Sequence, residues 1–175
     1  MSDSESPPNS RLDLPVEAEL ATATDTAEFG ARLADILVAG DLVVLDGPLG
    51  AGKTAMTKGI AAGLGVHGRV TSPTFVIARE HRPGVRPNGL PPVALVHVDA
   101  YRLGMTGQSA FDELDALDLD TDLEHAVVVV EWGEGVVETL TDQHVSVRLS
   151  RDPESDVRRV SARRVNGDAL GRLPE

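Results

Sequence analysis

Gly47-Pro48-Leu49-Gly50-Ala51-Gly52-Lys53-Thr54 reads G-x-x-x-x-G-K-T, the pattern of a phosphate-binding loop. An apolar run, Asp41-Leu42-Val43-Val44-Leu45-Asp46, precedes it, and a helix-compatible stretch from Thr54 to Leu64 follows. Strand, glycine-rich loop and helix, in that order, separate this motif from a coincidental glycine-rich turn. The residue types follow from the chemistry. Glycines let consecutive backbone N–H groups converge on phosphate oxygens, and the helix N-terminus adds about half a positive charge along the same line. Lys53 then reaches the β- and γ-phosphates, and the Thr54 hydroxyl holds Mg²⁺.

The 175 residues suffice for one domain with a real core but not comfortably for two. No apolar run approaches the roughly 20 residues that a membrane span requires. Met1 to Pro15 is polar and acidic where an export signal needs a basic and then an apolar segment. Zero Cys excludes disulfides, iron–sulfur clusters and thiolate zinc sites. The expected location is the cytoplasm.

Formal net charge is −12, and Lys occurs only at Lys53 and Lys58, so direct binding to DNA or RNA is disfavoured for want of cations to neutralise phosphates. Arginines cluster late, at Arg148, Arg151, Arg158, Arg159, Arg163 and Arg164, with Asp152, Glu154 and Asp156 among them. The favoured reading there is a solvated hairpin with cross-strand charge pairs, ahead of a nucleic-acid patch.

Outward from the loop, the chain reads as follows. Residues 1–16 are rich in Ser, Pro and acids, as a disordered acidic tail would be; 17–166 form the P-loop domain; 167–175 are a C-terminal tail. Glu17 to Ala23 suits a first strand. Asp25-Thr26-Ala27-Glu28 starts a helix carrying Phe29, Leu33, Ile36 and Leu37 on one face, with Gly40 as its end. Phe75 to Arg82 and Val93 to Asp99 read as antiparallel strands joined by a mobile surface loop, Pro83 to Pro92. Ser109 to Leu117 is a short capped helix. Asp112 to Glu124 holds seven acidic residues and no basic one: a solvated face or, more sharply, a docking surface for a basic partner. Ala126 to Val130 suits a strand buried on both faces, and a brief helical segment follows near Val136 to Leu140. His144 to Ser150 and Val157 to Val165 make a terminal hairpin. The predicted class is α/β: a P-loop NTPase-like three-layer fold whose mixed central sheet has parallel core strands and antiparallel edge strands.

Two acids stand at strand ends, where open α/β sheets bind ligands. Glu131 closes the run Val127 to Val130, the position of a second metal-shell carboxylate. Asp99 closes Val93 to Val98 and either holds the metal through water or orients the attacking water. Thr24, near the first strand-to-helix loop, is a candidate contact for adenine. GTP is disfavoured because no N-K-x-D segment occurs; Asn166-Gly167-Asp168 lacks both the Lys and the spacing.

Gly47 to Thr54, Ser72-Pro73-Thr74-Phe75, His97-Val98-Asp99-Ala100-Tyr101-Arg102 and Glu131-Trp132 occur in the order and approximate spacing of the TsaE (YjeE) family, which the chain resembles from about Glu17 to Val165. That family comprises bacterial ATPases needed to make N6-threonylcarbamoyladenosine (t6A) at position 37 of tRNAs reading ANN codons, acting with TsaB and TsaD. The resemblance implies ATP phosphates on Gly47, Pro48, Leu49, Gly50, Ala51, Gly52, Lys53 and Thr54, with Mg²⁺ on Thr54 and Glu131. It makes Asp99 a catalytic or metal-associated acid and Thr71, Ser72, Pro73 and Thr74 a mobile switch near the γ-phosphate. It gives Trp132 a role beyond packing, and makes tRNA an indirect partner, reached through the TsaB–TsaD complex. Arg102 either neutralises charge on the transferring phosphoryl or bridges an acid; His97 and Tyr101 orient neighbours or pack. Ala100, the long loop Pro83 to Pro92 and the acidic N-terminal extension depart from the family pattern. Two competing functions use the same loop: a small-molecule kinase, and a nucleotide-sensing module with little turnover. The acidic run where a kinase lid needs arginines argues against the first; the presence of both Glu131 and Asp99 argues against the second.

Overall fold

The computed structural model describes residues 12–70, 78–101, 109–132 and 137–166. Chain order is β1 (Val16–Leu20), α1 (Ala23–Ala34), β2 (Leu42–Asp46), α2 (Lys53–Leu64), β3 (Ala78–His81), β4 (Ala94–Asp99), α3 (Ala110–Ala116), α4 (Leu119–Leu123), β5 (Ala126–Glu131), a 3₁₀ turn (Val137–Leu140), β6 (Gln143–Arg151) and β7 (Arg158–Asn166). The strands form one sheet in the order β1-β7-β6-β2-β5-β4-β3. β2 runs parallel to both β5 and β6, and β4 parallel to β5. The edge pairs β3–β4, β6–β7 and β1–β7 are antiparallel. The mixed sheet with parallel centre and antiparallel edges is therefore as the sequence predicts.

Continuous apolar runs in β2, β4 and β5 exist because both faces of the central sheet are covered. Val43, Leu45, Val127 and Val129 pack with Phe29, Leu33, Met56 and Ile60 of α1 and α2. Leu42, Val44, Val128 and Val130 point the other way, into a cluster with Leu119, Leu123 and Val137. No helix among the described residues is long and apolar enough to cross a membrane.

α1 and α2 approach closely because small residues line their contact. A methyl at Gly59 would overlap the Ala27 carbonyl, and one at Gly30 the Met56 carbonyl. This contact fixes the start of α1 beside the start of α2.

Several boundaries differ from expectation, each for a physical reason. α1 starts at Ala23 because Thr22 is its N-cap: the Asp25 N–H donates to Thr22 Oγ1 and the Thr22 N–H to Asp25 Oδ2, both at 3.1 Å. Asp25 thus closes a capping box rather than opening the helix. The helix stops at Ala34, ahead of Gly40, and continues as tight turns in which Ile36 and Leu37 donate to Leu33 and Ala34. Leu12 is 5 % exposed and belongs to the core, so packed structure begins before the boundary expected at 17. α4 is a separate short helix within the acidic run, where the sequence predicts no element. Of the strand expected over Phe75 to Arg82, Ala78–His81 is described and its first residues lie outside the described ones.

The loop Pro83 to Pro92, expected to be mobile, is pinned. Arg86 is 3 % exposed, and its Nη2 donates to the Ala34 and Leu37 carbonyls at 2.8 and 3.0 Å. Its guanidinium satisfies the Leu37 carbonyl and gives the Ala34 carbonyl a second donor beside the Leu37 N–H. Arg86→Ala is expected to lower unfolding free energy by about 3 kcal/mol, since two bonds to a charged donor are lost and the Leu37 carbonyl loses its donor. Chemical denaturation measures this; a change within about 0.5 kcal/mol, as for an ordinary surface substitution, contradicts it.

Candidate functional site

β2 ends at Asp46, the loop spans Gly47 to Gly52, and α2 begins at Lys53. Glycine is required at both ends of the loop. Gly47 passes so close to the Leu149 carbonyl that a Cβ would sit 2.5 Å from its oxygen. Gly52 is the N-cap of α2 at φ +106°, a conformation that side chains resist, and it leaves the first helical N–H groups without a side-chain cap. Ala51 is buried against the core while Leu49, at the loop tip, is 91 % exposed.

Lys53 is buried, and its Nζ donates to the Gly47 carbonyl and, at 3.0 Å, to the Pro48 carbonyl. The same Nζ lies 3.8 Å from the centre of the Trp132 ring. Burial lowers the Lys53 pKa, and Glu131, Asp46 and Asp99 oppose that shift with their charges. Three carboxylates therefore act on the lysine with their charge, of which Asp46 is not among the residues expected from the sequence. Its position, the last residue of the strand entering the loop, is the signal that identifies it. Thr54, half-buried, occupies the first turn of α2.

Parallel pairing sets the two expected acids level with each other: Asp99 of β4 is the register partner of Glu131 of β5, and Glu131 is the partner of Leu45 of β2. The Ala100 N–H donates to the Glu131 carbonyl at 2.8 Å and ties the two strand ends together. Asp99 Oδ1 accepts from the Tyr101 N–H at 3.0 Å. Glu131 is 3 % exposed, and its Oε1 is buried without a hydrogen-bond partner. Its Oε2 lies 3.6 Å from Nε2 of His97, which is fully buried; that is beyond hydrogen-bond length. A buried carboxylate oxygen left without a donor fits a cation contact.

Trp132 has φ +62°, an outlier for a bulky residue that costs on the order of 1–3 kcal/mol. The turn swings its indole over Lys53, and Tyr101, exposed, packs against it at 5.3 Å between ring centres with 59° between planes. Thr24 is exposed in the first turn of α1, and Thr26, two residues on, has its Cγ2 3.4 Å from where a Cβ at Gly52 would stand. Thr71, Ser72, Pro73, Thr74 and Arg102 lie outside the described residues.

Among the described residues, no cluster of three or more His, Cys, Asp and Glu is arranged to hold a metal by itself. A glycine loop leading from a buried parallel strand into a helix, with carboxylates on the neighbouring strand ends, defines a P-loop protein.

Comparison with known proteins narrows this class. The family model described as threonylcarbamoyl adenosine biosynthesis protein TsaE matches residues 20–160. A Mycobacterium bovis protein named tRNA threonylcarbamoyladenosine biosynthesis protein TsaE is 57% identical over 142 residues, covering 81% of this chain and 82% of its own. A Streptomyces coelicolor protein of the same name is 54% identical over 137 residues, 77% of this chain and 86% of its own. The crystal structure of Bacillus subtilis YdiB superposes with a TM-score of 0.67 at 27% identity, covering 91% of each chain. The chain belongs to the TsaE family.

Proposed function

We propose that this chain is a Mg²⁺-dependent ATPase that supports t6A formation at tRNA position 37 by acting on a complex of TsaB-like and TsaD-like proteins. The observation that carries the reading is the level placement of Asp99 and Glu131 on adjacent parallel strands, beside the strand that feeds the loop. A loop alone binds phosphate; two strand-end acids supply what hydrolysis also needs.

Gly47 to Thr54 hold the phosphates. Thr54 and Glu131, whose Oε1 has no other partner, would hold Mg²⁺, and Asp99 would hold it through water or orient the attacking water. The metal, when bound, neutralises charge building on the phosphate oxygens. Lys53 adds a cation at the β- and γ-phosphates. Trp132 and Tyr101, joined to Lys53 and to the ends of β4 and β5, couple the pocket to partner contacts. The switch role of Thr71, Ser72, Pro73 and Thr74 and the phosphate role of Arg102 belong to the same reading. With a net charge of −12 the chain meets tRNA only through its partners.

The test is phosphate release from ATP by the purified chain, alone and with TsaB-like and TsaD-like proteins, combined with their association measured with and without ATP. Expected are Mg²⁺-dependent release without any phosphoryl acceptor and association that depends on the nucleotide. Release only with a small-molecule acceptor, or association indifferent to nucleotide, refutes the proposal.

A further inference from the structure

Two arginines of the terminal hairpin lie against the glycine loop. Arg151, the last residue of β6, and Arg158, the first of β7, are direct cross-strand partners. By strand alternation they share the sheet face of Leu149 and Val160, the face that α1 and α2 cover. The Arg158 stem packs on Gly52: a Cβ there would stand 3.3 Å from Arg158 Cδ and 3.4 Å from its Nε. Arg151 Nη1 is 3.8 Å from the equivalent position at Gly50.

Their internal partners do not balance them. Arg158 Nε is buried with no hydrogen-bond partner, and Nη1 donates to the Asp156 carbonyl at 3.2 Å. Arg151 takes the Asp156 carboxylate at 2.6 Å. Like charges placed opposite each other across two strands are destabilising, and the single Asp156 carboxylate offsets one of the two. An anion in the adjoining loop would offset the other. Strand order fixes which end of such an anion the arginines face. β6 flanks β2 on one side and β5 flanks it on the other, so the arginines stand across the loop from Asp99 and Glu131. With the γ-phosphate and metal on the carboxylate side, as in the function proposed above, the hairpin would face the phosphates nearer the nucleoside.

We propose that Arg151 and Arg158 form a charge clamp on the α- and β-phosphates of a bound nucleoside di- or triphosphate, giving affinity that does not depend on the γ-phosphate. This rests on the nucleotide site described above. The experiment is equilibrium binding of ADP and of ATP, each with Mg²⁺, to the parental chain, Arg158→Gln, Arg158→Lys, the double variant Arg151→Gln/Arg158→Gln, and Asp156→Asn. Arg158→Gln is expected to bind both nucleotides about tenfold more weakly, by the same factor for each, with a larger loss in the double variant and partial recovery in Arg158→Lys. Asp156→Asn removes the offsetting carboxylate and is expected to bind both more tightly, a gain that misfolding does not produce. Parental affinity in the double variant, a loss confined to ATP, or no gain in Asp156→Asn overturns the clamp alone. Failure of the parental chain to bind either nucleotide overturns the nucleotide site and the clamp with it.

Discussion

Lys53→Ala is expected to cut ATP affinity or turnover at least about a hundredfold while the protein stays folded. Each hydrogen bond from the ammonium to a phosphate oxygen contributes roughly 1.5–3 kcal/mol, and two such bonds span the γ- and β-phosphates. The side chain sits at the loop and donates to loop carbonyls, so its removal acts on the loop first. It does release the Gly47 and Pro48 carbonyls and the face of Trp132. Trp132 is the only tryptophan, so its fluorescence reports the loss of the overlying cation independently of activity. Calorimetric ATP affinity and hydrolysis within a few-fold of the parental protein would remove Lys53 from the site.

Glu131→Gln is expected to separate metal from nucleotide. The shape survives and the anion goes, so hydrolysis should fall about a hundredfold or more and require much higher Mg²⁺, while nucleotide affinity measured without metal changes little. Parental hydrolysis with parental Mg²⁺ dependence refutes the metal role.

The legible parts of the molecule were those governed by neighbours in sequence. The loop, α2, the buried strand Ala126–Glu131 and the hairpin β6–β7 follow from glycine spacing, apolar runs and alternation. Asp99 and Glu131 were legible because each terminates an apolar run, and parallel pairing then sets the two level. The start of α1 is not legible because D-x-x-E and T-x-x-D are both capping patterns, and only the hydrogen bonds choose between them. The pinning of the loop Pro83 to Pro92 is not legible because its Pro and Gly content describes its backbone and says nothing of the distant carbonyls that Arg86 meets.

By itself, the sequence determined that this is an α/β protein with a phosphate-binding loop, which residues flank that loop, and which two acids end the central strands. Those are properties of short segments, set by local backbone conformation and side-chain period. Tertiary structure alone decided what meets the loop: the Trp132 ring, set over Lys53 by a left-handed turn, and, against Gly50 and Gly52, the arginines of a hairpin about a hundred residues further along the chain. Charge and burial at a site are sums over residues near in space, and only the strand order, which puts β6 and β5 on either side of β2, brings those residues to the loop.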